Sequence, residues 1–355
     1  MIPTQSTPAV LGRARELVAP ALRSAIANLS PELRSVAEYH LGWVDAAGQP
    51  IGGDGGKGVR PALALLSAEA AGAPGWVGVP GGVAVELVHN FSLIHDDLID
   101  NDKERRHRPT VWALFGVGRA VIVGDALVAL AQQIVLEPLE LAMAAGLVAS
   151  PELAALLDGR RAARVVADAT AAMIAGQALD MAFESVPYVD VERCLAMEAG
   201  KTGALFGCAA SIGAVLAGAE APVVSALDRY GMELGLAFQA VDDLLGIWGD
   251  PATTGKPTWS DLRARKKSLP VSAALAGGGG LADELAALLS EPELDEPAIA
   301  RIAQLVEACG GRDLAEAEAD RRLKGALGAL GEVPLAERPC IELAELAHFV
   351  VERKY

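Results

Sequence analysis

Aromatic residues, cysteines and basic residues are all scarce in this 355-residue sequence. Aromatic residues make up 4% of the chain and hydrophobic residues 52%, so we expect helices that pack closely through small aliphatic side chains. The four cysteines show no CxxC spacing, which argues against a zinc site or a disulfide framework and agrees with a reducing, cytoplasmic location. The net charge of −16 argues against nucleic-acid binding.

Signals for secretion, membrane insertion and β-strands are also lacking. The first residues do not combine a basic stretch with an apolar stretch, so no signal peptide is expected. The longest apolar run, about Leu205 to Ala219, is shorter than the ~20 residues that span a bilayer, so no transmembrane segment is expected. Apolar residues recur at helical spacing nearly throughout, without sustained alternation. The sequence therefore predicts an all-α protein.

Helical periodicity and glycine- or proline-rich breaks predict the order of the helices. The first three predicted helices cover residues 11–28, begin at residue 31, and extend from the end of a loop at 46–58 to about residue 71. The others cover residues 83–100, 120–144, 151–184, 190–217, 221–248, 281–289, 296–309, 313–330 and 334–352. Residues 102–109 are predicted to form a charged loop, and 249–267 a polar flap. We expect one domain over 1–355, in which 281–355 form a C-terminal helical part after the glycine-rich hinge at 277–280.

Two groups of carboxylates within apolar helical sequence are the most informative motifs. Asp96, Asp97 and Asp100 end one predicted helix, and Asp242 and Asp243 lie in another. Asp96 and Asp100 are four residues apart, so they share one helix face. Carboxylates without a histidine or cysteine cluster suit Mg²⁺, which commonly completes its shell with substrate phosphates. A solvated helix face is the commoner explanation for any single pair of this kind.

Cationic residues near the first acidic group indicate a phosphate-bearing ligand. The run 103–108 contains three arginines, and a guanidinium group can bind two phosphate oxygens at once. The segment 53–58 matches GxGxxG, but no strand precedes it and Lys57 is followed by glycine, so neither a dinucleotide fingerprint nor a P-loop is indicated. Its backbone amides, Lys57 and Arg60 can still approach an anion. His89 shares a face with the first acidic group and is a candidate anion donor.

These motifs, taken in order, resemble those of the trans-isoprenyl diphosphate synthase (polyprenyl synthetase) family. The matching segments are GGKxxRP at 55–61, HDDLIDNDKERRHRPT at 95–110, GDAL at 124–127, GQxxD at 176–180, KT at 201–202, FQxxDD at 238–243 and the polar segment 249–270. The resemblance implies a helical bundle around a deep central cavity, usually as a homodimer. It also implies head-to-tail condensation of isopentenyl diphosphate with an allylic diphosphate.

The resemblance further implies a role for each matching residue. Asp96, Asp100 and Asp242 would bind Mg²⁺, supported by Asp97 and Asp243, with about three ions expected per site. The residues implied in allylic diphosphate binding are Arg105, Lys201, Thr202, Gln239, Lys256 and Lys266. Those implied in isopentenyl diphosphate binding are Gly56, Lys57, Arg60, His89 and Arg106. Gln177 and Asp180 would support the site.

The residues before the first acidic group predict the length of the product. Phe91 lies five residues before Asp96, which places it ~7 Å deeper along a helix. The bulky side chain of Phe91, beside the small Ser92, would close the bottom of the substrate cavity without making the cavity short. In the family this combination resembles enzymes that form C20 products. Geranylgeranyl diphosphate is therefore expected, with farnesyl diphosphate as the alternative.

Two positions depart from the family pattern. Gly246 stands where the second motif usually has a third aspartate, from which weaker Mg²⁺ binding is expected. His107 stands where glycine usually follows the arginine pair, which would alter the loop near Arg106. Two other functions stay open. The first is a class I terpene cyclase, although the sequence has no Asn/Asp-Ser/Thr-Glu metal motif. The second is a non-catalytic partner subunit, which Gly246 alone supports.

Overall fold

The structure, a computed structural model, describes residues 7–52, 58–147, 157–250 and 258–352. The first helices and strands are α1 (Ala9–Ala27), α2 (Pro31–His40), α3 (Val59–Ala70), a 3₁₀ turn (Gly75–Gly78), α4 (Val79–Ile99), β1 (Glu104–Arg105), β2 (Arg108–Pro109), α5 (Val111–Phe115), α6 (Val117–Leu136) and α7 (Pro138–Ala144). The predicted all-α fold is confirmed, with one two-stranded hairpin inside the segment predicted as a charged loop.

The remaining described elements are all helical. They are α8 (Gly159–Glu184), α9 (Val191–Glu198), a π-helical turn (Ala199–Gly203), α10 (Ala204–Leu216), α11 (Ala221–Trp248), α12 (Ser260–Arg263), α13 (Leu269–Ala276), α14 (Gly279–Ser290), α15 (Glu296–Ala308), α16 (Gly311–Leu330) and α17 (Glu337–Val351). The predicted bounds of α11 agree with the structure.

Several predicted helix bounds differ from the structure, and two of these differences have a local explanation. The helix predicted over 120–144 is two helices, because Pro138 starts α7 and a residue before proline is disfavoured in helical conformation. Helix α4 starts at Val79, four residues before its predicted start, and its proline sits in the first turn, where a missing N–H costs nothing.

The chain divides into two compact units. Unit 1 comprises Met1–Asp168, Cys208–Asp228 and Glu332–Leu346, and unit 2 comprises Ala169–Gly207, Arg229–Gly331 and Ala347–Tyr355. The segment expected to form a C-terminal part is thus shared between both units, and the single-domain organisation stays a prediction.

Small residues bring helices together in the core of unit 1, as the low aromatic content indicates. A Cβ atom added to Gly78 would lie 2.2 Å from the Ala64 carbonyl oxygen of α3. One added to Gly213 of α10 would lie 2.1 Å from the same oxygen, and the Gly213 amide donates to the buried Ser67 hydroxyl. Helices can approach this closely only where no side chain intervenes, so these glycines set the positions of α4 and α10 against α3.

Larger aliphatic residues fill the core of unit 2. Ile247 of α11 and Leu262 of α12 pack in one buried cluster with residues of the C-terminal helices α13 to α15. Val271, Leu285 and Ile302 each belong to this cluster and are at most 1% exposed. The end of α11 and the short helix α12 are therefore held by the same hydrophobic core.

Three segments among the described residues are long and apolar enough to cross a membrane by length and composition. They are Gly75–Ile99, Val117–Leu136 and Val191–Leu216. The first and third are each 78% buried within the fold and the second is 44% buried. The sequence expectation considered uninterrupted apolar runs alone and did not identify these helices, so the absence of a transmembrane segment stays a prediction.

Candidate active site

The first acidic motif of unit 1 presents its carboxylates in two directions. Asp97 is buried and 1% exposed, whereas Asp96 is half-buried and Asp100, which caps the C-terminus of α4, is exposed. Asp96 and Asp100 are one helical turn apart on the same face. The outward carboxylates are therefore Asp96 and Asp100, and Asp97 points into the protein.

A salt bridge connects the buried carboxylate to the hairpin that follows α4. The Arg105 guanidinium donates from Nε to Oδ1 of Asp97 at 2.7 Å. Burial raises the pKa of Asp97, and the charge of Arg105 opposes this rise. Arg105 keeps about a third of its side chain exposed. Asp97 thus fixes one edge of this guanidinium and leaves other N–H groups for an anionic ligand.

The hairpin itself is anchored by contacts that the sequence analysis did not predict. The Asp102 carbonyl oxygen accepts from Thr110 Oγ1 at 2.7 Å and from Trp112 Nε1 at 2.8 Å. Tyr39 donates from its hydroxyl to the Pro109 carbonyl oxygen, and Arg108 stacks 4.2 Å over the Tyr39 ring. Arg108 and Thr110 belong to HRPT, the end of the matched segment at 95–110. This was the sequence feature from which the contacts of the hairpin could have been expected.

The two-residue turn of the hairpin is strained at both positions. Arg106 and His107 have φ values of 53° and 60°, the left-handed region that a type I′ turn requires. His107 therefore takes the conformation that glycine would take there, and the loop keeps a tight hairpin. A side chain in this region costs about 1–2 kcal/mol relative to glycine.

We expect His107→Gly to raise the free energy of unfolding by about 0.5–1 kcal/mol, because the strain is removed at some cost in unfolded-chain entropy. Urea denaturation followed by circular dichroism measures the change. His107→Ala is the control, since it removes the imidazole and keeps the strained backbone, and it should bring no gain. Equal stabilisation by both substitutions would contradict this explanation.

Several titratable groups lie close together beside the hairpin in unit 1. Burial lowers the pKa of His89 well below its usual value, and Arg60 and Arg106 lower it further by their charge. Burial also lowers the pKa of His40 to about 3, again with Arg105 and Arg106 contributing. Both imidazoles are therefore neutral at pH 7, and the arginines supply the positive charge. The structure brings together the predicted residues Arg60, His89 and Arg106.

Glu86 and Asn90 belong to the same cluster of interacting residues and were not predicted from the sequence. Asn90 donates from Nδ2 to the Glu86 backbone oxygen at 2.8 Å and to Oε1 at 3.2 Å. Burial raises the pKa of Glu86, whereas Arg60 lowers it. The i, i+4 spacing of this pair on α4, next to His89, was the available signal.

The two residues implied in chain length lie on α4. Phe91 is 7% exposed and contacts the His95 ring edge-on, with 4.8 Å between the ring centroids. Ser92 is half-buried and donates to the His89 carbonyl oxygen. His95 lies within 3.2 Å of the Val121 carbonyl oxygen of α6. The rigidity of Phe91 thus depends on how the His95 ring is held against α6.

We expect Gly124→Ala to destabilise the protein by about 1–3 kcal/mol, because its Cβ atom would overpack the core. That atom would lie 2.2 Å from Nε2 of His95. Gly118→Ala in the same helix is the matched control, since nothing lies within 4 Å of its Cβ position. Urea denaturation of both variants is the measurement. Equal stability of the two variants would show that the His95 ring is not confined.

In unit 2, Lys201 projects from the π-helical turn between α9 and α10. Its Nζ donates to Oδ2 of Asp180 at 2.5 Å, with 27% of the lysine side chain and 31% of the aspartate side chain exposed. Gly176 allows this contact, because a Cβ atom there would lie 2.2 Å from the Lys201 backbone nitrogen. Gln177 lies beside Gly176 on α8, and its buried Oε1 has no hydrogen-bond partner among the described residues. Lys201 and Asp180 are thus in direct contact, and the supporting role of Gln177 stays a prediction.

A chain of hydrogen bonds holds the remaining polar residues of unit 2. Thr202 Oγ1 donates to Gln239 Oε1 at 2.7 Å, and Gln239 Nε2 donates to Asp243 Oδ1 at 2.8 Å. The Leu269 amide donates to Asp243 Oδ2 at 2.8 Å. Both oxygens of Asp243 are therefore used inside the protein, and the residue is 5% exposed. Asp242 is exposed, so this pair repeats the outward–inward arrangement of Asp96 and Asp97.

Two buried residues next to Asp243, Cys194 and Glu198, were also not predicted from the sequence. Glu198 is 2% exposed, and the Cys194 thiol donates to its Oε1 at 3.4 Å. Burial raises the pKa of both Glu198 and Asp243, and Asp243 raises the pKa of Glu198 further by its charge and by hydrogen bonding. Neither residue lies in a recognised motif, so their proximity to Asp243 arises from the fold alone.

Three predicted binding residues, Gly56, Lys57 and Lys256, lie outside the described residues. Lys266 is described and exposed at the end of the polar segment that follows α12. These assignments stay predictions.

The outward carboxylates fit Mg²⁺ by their donor chemistry. In unit 1, Asp96 and Asp100 offer oxygen ligands, and in unit 2 Asp242 does so as well. Among residues 7–52, 58–147, 157–250 and 258–352, no three histidine, cysteine, aspartate or glutamate side chains form a metal-holding group. Mg²⁺ that is held by one or two carboxylates usually completes its shell with oxygen ligands from water or substrate.

Comparisons with known proteins identify the family of this chain. Residues 42–306 match the family described as Polyprenyl synthetase. The (2E,6E)-farnesyl diphosphate synthase of Mycobacterium tuberculosis is 47% identical over 99% of this chain and 94% of its own length. The geranylgeranyl diphosphate synthase of that organism is 43% identical over 93% of this chain and 90% of its own length.

A solved structure gives the same result. The polyprenyl synthetase from Streptomyces coelicolor A3(2) is 51% identical and matches with a TM-score of 0.89, covering 98% of this chain and 100% of that one. The family match extends over well more than half of the sequence, and the relatives match nearly their whole length. The chain therefore belongs to the polyprenyl synthetase family of prenyltransferases.

Proposed function

We propose that this prenyltransferase condenses isopentenyl diphosphate head-to-tail with an allylic diphosphate, and that its product is geranylgeranyl diphosphate. The observation that carries the proposal is the pairing, in each acidic motif, of an outward carboxylate with a buried one that fixes a neighbouring polar side chain. This arrangement serves a ligand that combines divalent cations with phosphate groups. A prenyl diphosphate with Mg²⁺ is such a ligand.

The first chemical step is cleavage of the allylic C–O bond, which leaves a carbocation and diphosphate. When bound, Mg²⁺ would neutralise negative charge that develops on the leaving diphosphate. Asp96, Asp100 and Asp242 would hold it. Arg105, fixed at Nε by Asp97, and Lys201, fixed by Asp180, would place positive charge on the same diphosphate.

The carbocation then needs dipoles but no nucleophile around it. Thr202 and Asp243 hold the two ends of the Gln239 amide, so the carbonyl oxygen of Gln239 keeps a single orientation. A fixed carbonyl dipole stabilises positive charge without attacking it. The alkene of isopentenyl diphosphate forms the new C–C bond, and the released diphosphate takes the proton that leaves.

Arg60, Arg106 and His89 are proposed to bind isopentenyl diphosphate. The arginines carry the charge, and His89, kept neutral by burial, is able to donate one hydrogen bond to a phosphate oxygen. Because a neutral imidazole adds no repulsion to the two guanidinium groups, the three residues can lie close together.

Product length is proposed from the residues on α4. Phe91 is buried on α4 and would form the bottom of the substrate cavity below Asp96, and the small side chain of Ser92 would leave space beside it. Farnesyl diphosphate is the second candidate, favoured by the name of the 47% identical relative. Incubation with Mg²⁺, isopentenyl diphosphate and dimethylallyl, geranyl or farnesyl diphosphate, with products sized by mass spectrometry, distinguishes the two.

We expect a C20 product from all three primers, and we expect Phe91→Ala to lengthen it by at least one C5 unit. Leu87→Ala is the control. Leu87 is fully buried one turn further from Asp96, so this variant creates space at a position that is not proposed to limit the product. A C15 end product would select farnesyl diphosphate synthase. An unchanged product length in Phe91→Ala would place the floor elsewhere.

We further propose a cytoplasmic homodimer. Helix α6 exposes apolar side chains, with Val117 54% and Ile122 58% exposed, and a second copy of the chain is the occupant that the family resemblance implies. Light scattering coupled to gel filtration should give twice the 36.6 kDa mass of the chain. A mass equal to one chain would contradict the dimer.

A further inference from the structure

Arg265 follows α12 in a backbone conformation that glycine usually takes. Its φ value is 52°, in the left-handed region. The Arg265 amide donates to the Leu262 carbonyl oxygen at 3.0 Å, and the Lys266 amide donates to the Asp261 carbonyl oxygen at 2.9 Å. This pair of bonds is the Schellman motif, in which a Cβ atom at the left-handed position is unfavourable. An arginine at this position therefore needs an interaction that compensates for the strain.

The Arg265 side chain provides such an interaction with the end of α14. Nη1 donates to the Leu289 carbonyl oxygen at 3.4 Å, and Nη2 donates to the Pro292 carbonyl oxygen at 3.0 Å. Leu289 lies in the last turn of α14, where the helix dipole favours positive charge, and Pro292 lies in the connection to α15. Because a guanidinium presents its donors in a fixed fork, contacts with two carbonyl groups set its orientation. The end of α12 is thus anchored to the end of α14.

A second anchor lies two residues further along the chain. The Lys267 carbonyl oxygen accepts from the Cys194 thiol at 3.3 Å and from the Ser272 hydroxyl at 3.4 Å, and both donor residues are at most 1% exposed. Lys267 itself is half-buried, and its Nζ donates to the Arg265 carbonyl oxygen at 3.4 Å. Burial lowers the pKa of Lys267, and the charge of Arg265 lowers it further. Lys267 is therefore bonded within the protein.

Lys266 is the one residue between these two anchors, and it is exposed. With both neighbours fixed, the backbone of Lys266 has little freedom left. A side chain that starts from a fixed backbone loses less conformational entropy when it binds a ligand. The two anchors therefore favour binding of an anion by Lys266.

We propose that Arg265 is a positioning residue, which holds the backbone of Lys266 in the conformation that binds a diphosphate group. Glycine at position 265 would remove the backbone strain, but it could not bind the carbonyl groups of Leu289 and Pro292. The proposal rests on the proposed function, because that function assigns Lys266 to the allylic diphosphate. No role was predicted for Arg265 from the sequence.

A double-mutant cycle on Arg265 and Lys266 tests this role without turnover. Binding of inorganic diphosphate in the presence of Mg²⁺ is measured by isothermal titration calorimetry. We expect Lys266→Ala to weaken binding by about 20-fold, because a charge-assisted hydrogen bond is lost. Arg265→Gly should weaken it by about fivefold, because Lys266 must then be ordered on binding. The double variant should bind within about twofold of Lys266→Ala alone, since Arg265 acts through Lys266. Losses that add in full would overturn the proposal, and so would wild-type binding in Arg265→Gly.

Arg301→Ala is the matched control for the loss of positive charge from unit 2. Arg301 lies on α15, and its guanidinium donates to both carboxylate oxygens of Glu284. This variant should bind diphosphate within about twofold of the wild type, since isolated surface charges contribute little. A comparable loss in Arg301→Ala and Arg265→Gly would attribute the effect to net charge and would overturn the proposal.

Thermal unfolding separates positioning from a structural role. Arg265→Gly should unfold within about 3 °C of the wild type, because relief of the strain offsets the lost anchor. Arg265→Asn, which also tolerates the left-handed conformation, should bind diphosphate as Arg265→Gly does. A lowered unfolding midpoint combined with wild-type affinity for diphosphate in both variants would show a structural role alone and would overturn the proposal.

The proposal and the proposed function can fail separately. Wild-type protein that forms no prenyl product would refute the function, whereas the titrations with inorganic diphosphate would still report on Arg265. Where the wild type forms prenyl product, Arg265→Gly should raise the KM for the allylic diphosphate by about fivefold and leave the KM for isopentenyl diphosphate unchanged. An equal rise in both KM values would refute the positioning role alone.

Discussion

Replacing Asp96 by alanine should lower kcat by about 10³-fold at saturating substrates, because an outward carboxylate for Mg²⁺ is lost where leaving-group charge develops. Asp96 is half-buried on the outward face of α4, and its removal leaves the Asp97–Arg105 salt bridge in place. The free energy of unfolding should therefore stay within about 0.5 kcal/mol of the wild type. Steady-state kinetics and urea denaturation give the two values.

Glu104→Ala is the matched control for this substitution. Glu104 is an exposed acidic residue of β1, eight residues after Asp96, and its side chain is not assigned to any ligand. Its removal should change kcat less than about twofold, since isolated surface charges contribute little. A comparable loss in both variants would mean that general negative charge, and not the position of Asp96, matters.

Replacing Gly176 by alanine should have the largest effect among substitutions that touch no ligand. Its Cβ atom would lie 2.2 Å from the Lys201 nitrogen and 2.8 Å from the Gly200 carbonyl carbon, both of them backbone atoms. Backbone cannot rotate away as a side chain does, so α8 must separate from the π-helical turn. We expect a destabilisation of about 3 kcal/mol by overpacking and a loss in kcat/KM of about 100-fold as Lys201 is misplaced.

Gly280→Ala provides the comparison within unit 2. Nothing lies within 4 Å of its Cβ position, and it sits in the first turn of α14. This variant should be as stable as the wild type or slightly more stable, because alanine favours the helix. If Gly176→Ala matched Gly280→Ala in stability and rate, the close approach of α8 to Lys201 would be disproved.

Helix periodicity predicted most of the fold, because apolar spacing depends on local sequence alone. It gave α11 with its observed ends, and Ser30-Pro31 marked the start of α2. It did not predict the π-helical turn at Ala199–Gly203, since the extra residue is accommodated by contact with Gly176, which lies far away in sequence. The hairpin at 104–109 has two residues per strand, too few to show alternation.

The motifs identified the candidate site residues but not the direction in which each side chain points. Asp96 and Asp97, like Asp242 and Asp243, are adjacent acidic residues, and only packing decides which one is buried. Likewise, the carboxylate beside Gly246 comes from Asp261, fifteen residues later and on another helix, so no local pattern connects the two. The weaker Mg²⁺ binding expected from Gly246 stays a prediction.

The stoichiometry of the wild-type reaction tests the central claim most directly. Purified protein is supplied with dimethylallyl diphosphate and isopentenyl diphosphate, with Mg²⁺ or with EDTA, and released diphosphate is counted against isopentenyl diphosphate consumed. We expect equal numbers of both, with a C20 diphosphate as end product, and no reaction in EDTA. Diphosphate released with a hydrocarbon product would indicate a terpene cyclase, and no turnover with Mg²⁺ would indicate a non-catalytic subunit; either result would contradict the function proposed here.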